Sequence, residues 1–310
     1  MGNGWDAGTG FRITSGKMPV LYEILDDDED FLYVRGNPGI LKISKKLDGT
    51  FVLLDENSEL ALYKKLEEEE YARALPAGEN AAESVTERED ALYFQGQKLL
   101  SLAPYREEIE KYFQLNPGKR NETGMTYDAR LMKLDDELSL LQVTVHYMLH
   151  IPAPYTPYEV HLFVLRQNQI RKIEGFSQYP RQLFRNPDGS YWLAKPAILP
   201  EDVTARNYDE ARGTAALIRP DGSSVLINGQ LGTWDVDLLH VNEQGTAVFK
   251  AFDRGSAESS AGKDGIYTVD TSLNTQKVTD TFRGAMYVDK SGQIFTLQYE
   301  THTIINITAK

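Results

Sequence analysis

The chain has 310 residues, 46 of them acidic and 33 basic, and its net charge of −13 repels phosphate backbones and anionic lipid, which excludes nucleic acid and membrane surfaces as default partners. It has no cysteine, which removes disulfides, thiolate metal sites and cysteine nucleophiles together and fits an oxidising, extracytoplasmic address. With 17 tyrosines, 24 glycines and 13 prolines the composition suits many short strands joined by tight turns, and no run approaches the ~20 apolar residues of a membrane span.

The acidity is uneven: residues 1–150 hold 28 acids and 17 bases, residues 151–310 hold 18 and 16. Met1 to Asp6 has neither the basic start nor the apolar core of a secretory leader, so the chain is either cytosolic or a mature form behind a start codon, and its glycines favour the second. Phe11 to Thr14 is a lone strand candidate. Leu25 to Asp30 is acidic but lacks the alternation and the later Glu of a calcium loop, so it is expected to be a solvated turn before the Phe31 strand. Phe31 to Val34, Ile40 to Ile43 and Leu47 to Leu54 then alternate strand and turn.

The period changes from two to near four between Ser58 and Leu75, and with Pro76 and Gly78 following, this predicts a helix around a wet Glu67 to Glu70 face. Asn80 to Asp90 reads as a polar loop. Asp90 to Gly96 and Lys98 to Leu102 are strands, and Pro104 opens a short helix carrying Tyr105, Ile109 and Tyr112 on one face until Asn116-Pro117-Gly118. Strands resume at Arg130 to Leu134, Leu138 to Leu141 and Val143 to His150, and Pro152, Pro154 and Pro157 mark a connection.

After it hairpins follow in succession. Their turns fall at Gln167-Asn168, Pro187-Asp188-Gly189, Pro220-Asp221-Gly222, Glu243-Gln244-Gly245, around Asp270 and at Asp289-Lys290-Ser291-Gly292. Taking every second turn, Gly189, Gly245 and Gly292 are 56 and 47 residues apart, a supersecondary period. Two hairpins per period give four-stranded sheets. The expected fold is all-β: a propeller of about six four-stranded blades, five to seven by length, with two helical insertions in the N-terminal half. Thr303 to Ile307 is a lone strand at the other end, and pairing it with Phe11 to Thr14 would close the ring into a single domain over 1–310. The alternative is two packed β-domains meeting near Pro152.

The hairpin grammar, an aromatic-aliphatic strand, an Asp-x-x-Gly or Pro-Asp-Gly turn and a second strand such as Gly292-Gln293-Ile294-Phe295-Thr296-Leu297, resembles the bacterial β-propeller superfamily of NHL, TolB-like and YVTN repeat proteins. The resemblance covers residues 160–300 and is one of repeat style; it implies a platform for a ligand or protein and transfers no site residue.

Three polar constellations invite chemistry. His146 and His150, with His161, suggest a metal, but residues four apart on a strand stand ~13 Å apart at ~3.3 Å per residue, so no metal and no cofactor is expected. Asp253 to Gly262 is rich in small hydroxylic residues but is not a nucleophile elbow, and reads as a loop. Asp235, Asp237 and His240 with Trp192 and Trp234 offer acids and sugar-stacking rings, and form the candidate ligand-binding set. The expected function is a non-catalytic, extracytoplasmic propeller that binds a protein, peptide or glycan as a monomer. The alternative is a propeller-type glycoside hydrolase or lyase using those carboxylates.

Overall fold

A computed structural model describes residues 3–6, 10–13, 20–48, 50–115, 124–147, 158–197, 212–252, 263–280, 285–298 and 300–308. The described residues are 51% strand and 15% helix, in small antiparallel sheets. In order it forms β1 (Asn3–Asp6), β2 (Gly10–Ile13), β3 (Val20–Asp27), β4 (Phe31–Asn37), β5 (Ile40–Ser44), β6 (Phe51–Leu53) and α1 (Glu56–Arg73). Then come β7 (Glu79–Asn80), β8 (Val85–Arg88), β9 (Ala91–Phe94), β10 (Gln97–Ser101), α2 (Ala103–Leu115), β11 (Met125–Lys133), β12 (Leu138–Tyr147), β13 (Tyr158–Arg166) and β14 (Gln169–Lys172). The rest comprises β15 (Gln182–Arg185), β16 (Tyr191–Lys195), β17 (Thr214–Ile218), β18 (Ser224–Leu226), α3 (Ile227–Leu231), β19 (Asp235–Val241), β20 (Ala247–Phe252), β21 (Gly265–Val269), β22 (Thr275–Thr279), β23 (Ala285–Val288), β24 (Ile294–Gln298) and β25 (Thr303–Asn306).

These strands make six sheets among the described residues. Sheet I is β3-β4-β5-β6, sheet II β10-β9-β8, sheet III β14-β13-β12-β11-β7, sheet IV β15-β16-β17-β18, sheet V β19-β20-β21-β22 and sheet VI β1-β2-β25-β24-β23. In sheet VI the N-terminal β2 pairs with the C-terminal β25, Gly10 opposite Ile305 and Phe11 opposite Ile304.

Two compact units divide the chain: 1–74 with 231–310, and 75–230. In the first, sheet VI has apolar neighbours on both faces. Phe295 and Leu297 of β24 join Leu32, Val34, Leu41 and Ile43 of sheet I, while Ile294 joins Val248 and Ile266 of sheet V. Successive residues of one strand thus serve opposite faces, as the period of two requires. In the second unit sheet III is treated alike: Leu141, Val143 and Val145 of β12 pack with sheet II and α2, while Leu138 and Leu140 pack with sheet IV. Strands buried on both faces read as unbroken apolar runs, hence the continuity of Leu162 to Leu165.

Among the described residues, five hairpin turns share one geometry. In those starting at Asn186, Arg219, Asn242, Asp270 and Asp289, the first N–H donates to the fifth carbonyl and the fourth N–H to the first carbonyl. The fourth residue lies at positive φ: Gly189, Gly222, Gly245 and Gly292 at 79–84°, and Leu273 at 69°. Gly189 and Gly245 close the first hairpins of sheets IV and V, and Gly292 closes the β23–β24 hairpin of sheet VI.

Several sequence expectations change. Leu138 to Leu141 and Val143 onward form one strand, β12, because Gln142 stays in register opposite Arg130 and Leu162. Asn80 to Asp90 is no loop: it holds the end of β7, a 3-10 turn at Ala82–Ser84, and β8 paired to β9. Residues 227–231 form α3 directly after β18. β12 and β13, on either side of Pro152, are paired neighbours in sheet III. The connection 151–157, His150 and the loop 253–262 lie outside the described residues.

Candidate binding cleft beneath α1

The acidic stretch expected to be a solvated turn is instead the end of a strand, and two of its carboxylates are buried: Asp26 is 3% and Asp27 1% exposed. Bulges between Leu21 and Glu23 and between Ile24 and Asp26 break the alternation of β3, so adjacent residues both turn inward. Buried carboxylates need cations and donors. Lys45 Nζ bonds Asp27 Oδ2 at 2.8 Å and Asp289 Oδ2 at 2.7 Å, and Asp289 is itself 0% exposed. Tyr287 donates its hydroxyl to Asp27 Oδ1 at 2.6 Å. Asp26 receives Lys65 of α1 on one oxygen and Lys290 Nζ at 3.4 Å on the other.

Electrostatics follow from this pairing. Burial pushes the Asp289 carboxyl up, but Lys45, Ser291 and the Gln293 N–H outweigh it and hold it below the usual carboxylate range. Burial likewise lowers Lys45, and its two aspartates more than restore it. The Tyr287 phenol is driven up by burial and by the Asp27 charge. Asp28, at the rim, is disfavoured by burial yet brought down to about 2 by Lys42, Tyr33 and the N–H groups of Asp30 and Phe31.

α1 lies over this face of sheet I. It starts where Asp55 Oδ1 accepts from the Ser58 N–H at 2.9 Å, with Glu56 and Glu59 in the first turn to favour the dipole. Glu59 Oε1 accepts from the Ile40 N–H at 2.9 Å, and Leu62 is the one buried side chain among those described on the helix. The contact is underfilled. A cleft of about 400 Å³ remains, walled by Leu54, Ser58, Ala61, Leu62 and Lys65 on one side and by Asp26, Asp27, Asp28, Tyr33 and Lys42 on the other.

Could this carry out carboxylate chemistry? Asp27 and Asp289 share one ammonium, which puts their oxygens on the order of 5 Å apart, the spacing of a retaining glycosidase pair. Such a pair works only if one carboxyl holds a proton near neutral pH. Lys45 is paired with both carboxylates, and Asp289 moves down, away from that requirement. The pair is an ionic clamp between sheets I and VI, and the cleft above it is a set of fixed charges, a phenol and an aliphatic wall.

The residues singled out from sequence are distributed differently. Trp192 is 0% exposed in β16, opposite Phe184 and Leu217, so no ring face is left for a sugar to stack on. It belongs to the second unit, whereas Trp234, Asp235, Asp237 and His240 belong to the first. Asp235 is buried opposite Phe252, and Asp237 is half-buried opposite Lys250. His240 follows a bulge after Leu238, and Trp234, just before β19, is half-buried.

His146 and His161 do not converge. His146 faces Asp128 at 3.1 Å and stacks near Tyr158, on the face of sheet III toward sheet IV, while His161 is on the opposite face. There Tyr105 of α2 donates to Glu159 Oε2 at 2.6 Å, and its oxygen lies 2.6 Å from His161 Nε2. One hydroxyl proton serves one acceptor, so His161 donates through Nε2–H, and burial keeps its imidazole neutral by lowering its pKa. No group of three His, Cys, Asp or Glu among the described residues is placed to hold a metal.

Sequence reasoning missed Asp26, Asp27, Lys45, Lys65 and Asp289. The available signal was the lysine pair Lys45-Lys46 following an acidic strand end by one hairpin. Compared with known proteins, the chain matches no family model, and no curated protein is significantly similar to it in sequence.

Proposed function

We propose that the six sheets are the blades of one β-propeller and that the protein is a non-catalytic, extracytoplasmic binding protein whose cleft beneath α1 takes a peptide or glycan segment. The architecture is supported by sheets III and VI, each packed on both faces, and by the β2–β25 pair, which brings the chain ends into one sheet. Repeated blades with paired ends leave few exposed edges.

The observation that carries the binding reading is the state of the cleft's charges. Asp26 is matched by lysines from two elements, and Asp28 is held ionised by Lys42 and Tyr33. These are groups fixed for recognition beside the Leu54–Leu62 wall. Ala61 is exposed on α1 at the mouth of the cleft, so Ala61→Trp fills it without disturbing the Leu62 anchor. In peptide and glycan array screens the wild-type protein is expected to retain a ligand that Ala61→Trp does not. Turnover of a glycan that Asp235→Asn or Asp237→Asn abolishes would replace this reading with the hydrolase one.

A further inference from the structure

We infer that the outward face of α1 is a docking surface for a cationic, amphipathic segment of a partner protein, separate from the cleft on the helix's inner side. Among the described side chains of the helix only Leu62 is buried, and the inner face is pinned by Lys65 on Asp26 and by Glu59 on the Ile40 N–H. That anchoring fixes what points away. Leu60, Glu67 and Tyr71 share the opposite side, and Tyr63, three residues from Leu60, lies at the edge of that stripe, where Arg35 of β4 reaches its ring. Leu60 is 71% and Tyr71 85% exposed, and Tyr63 is exposed with the Arg35 guanidinium 5.9 Å from its ring centroid.

A helix attached this sparingly gains little from displaying to water a leucine and two tyrosines around Glu67, and exposed apolar side chains grouped on a charged element mark an interaction site. Charge selects the occupant. The helix carries six glutamates, Glu56, Glu59 and Glu67 to Glu70, against Lys64, Lys65 and Arg73, and Lys65 is engaged by Asp26. A second copy of this chain would bring the same acidic helix, and nucleic acid or anionic lipid would bring phosphate; each is repelled. A polypeptide with lysine or arginine around aliphatic residues matches both the stripe and its acidic border, Glu56, Glu67, Glu68 and Glu70.

The test measures fluorescence anisotropy of two labelled peptides, one patterned with leucine and lysine at helical spacing and one with leucine and glutamate, against the full chain. The expected result is saturable binding of the lysine peptide, at least about tenfold tighter than the glutamate peptide and weakened by added salt. Leu60→Ser with Tyr71→Ser is expected to weaken it about tenfold while leaving the melting temperature and the cleft's array ligand unchanged, since neither side chain is buried or lines the cleft. Equal binding of both peptides, no saturable binding, or undiminished binding by the double variant overturns the inference. Loss of the lysine peptide on Ala61→Trp, with the double variant unaffected, also overturns it and assigns the peptide to the cleft.

Discussion

At the scale of single residues the molecule's most consequential side chain is Lys45, whose ammonium neutralises two nearly inaccessible carboxylates from sheets I and VI. Lys45→Met keeps the stem and removes the charge, leaving Asp27 and Asp289 buried against each other. The expected cost is about 3–5 kcal/mol in urea unfolding, the range for breaking a buried pair on one side. The pH dependence has a definite sign. Asp289 is held below its ordinary value, so its contribution is present above the unfolded carboxylate pKa of about 4 and is lost as pH falls through the lower folded value. Asp28, brought to about 2, acts in the same direction. Wild-type stability is therefore expected to decline below about pH 4, and Asp289→Asn to flatten that decline at the expense of neutral stability. None of this was legible in sequence. Asp289 was read correctly as opening a turn, but its burial depends on a lysine more than two hundred positions away, and two bulges hide the inward turn of Asp26 and Asp27 from any period-two reading.

At the scale of elements, turns and helices separate what local chemistry specifies from what packing decides. Five turns with one hydrogen-bond pattern put glycine at positive φ in four cases and Leu273 in the fifth. A side chain in that conformation costs roughly 1 kcal/mol, so Leu273→Gly is expected to raise the unfolding midpoint by about that energy, and Gly292→Ala to lower it. Calorimetry of both variants checks the pair; a destabilising Leu273→Gly contradicts the strain account. Turns were the most legible elements, because Gly, Asp and Asn act through their own backbone. α1 was legible as a helix but began two residues earlier than expected, at Glu56, since Asp55 caps it. Asp55→Ala should cost about 1 kcal/mol, readable as fraying of the first turn by hydrogen exchange. β8 escaped notice because Thr86, Glu87 and Arg88 are all exposed, and only pairing with β9 makes them a strand.

At the scale of the whole molecule the all-β character was readable from composition and turn spacing, and it stands: the chain is mostly strand, in small antiparallel sheets. Apolar runs such as Leu162 to Leu165 carry the stacking of sheets in plain view, since both parities are hydrophobic. Site assignment was harder. Trp192 advertised an aromatic platform, but β16 is central in sheet IV and encloses it, and exposure cannot be seen in a residue type. The functional account rests on the cleft beneath α1 as a place where a ligand is held and not transformed. Its most direct test is mass spectrometry of peptide and glycan ligands recovered from the wild-type protein and from Ala61→Trp. The account predicts ligand recovered intact from the wild type and none from the filled cleft; cleaved products, or the same ligand on both proteins, would contradict it.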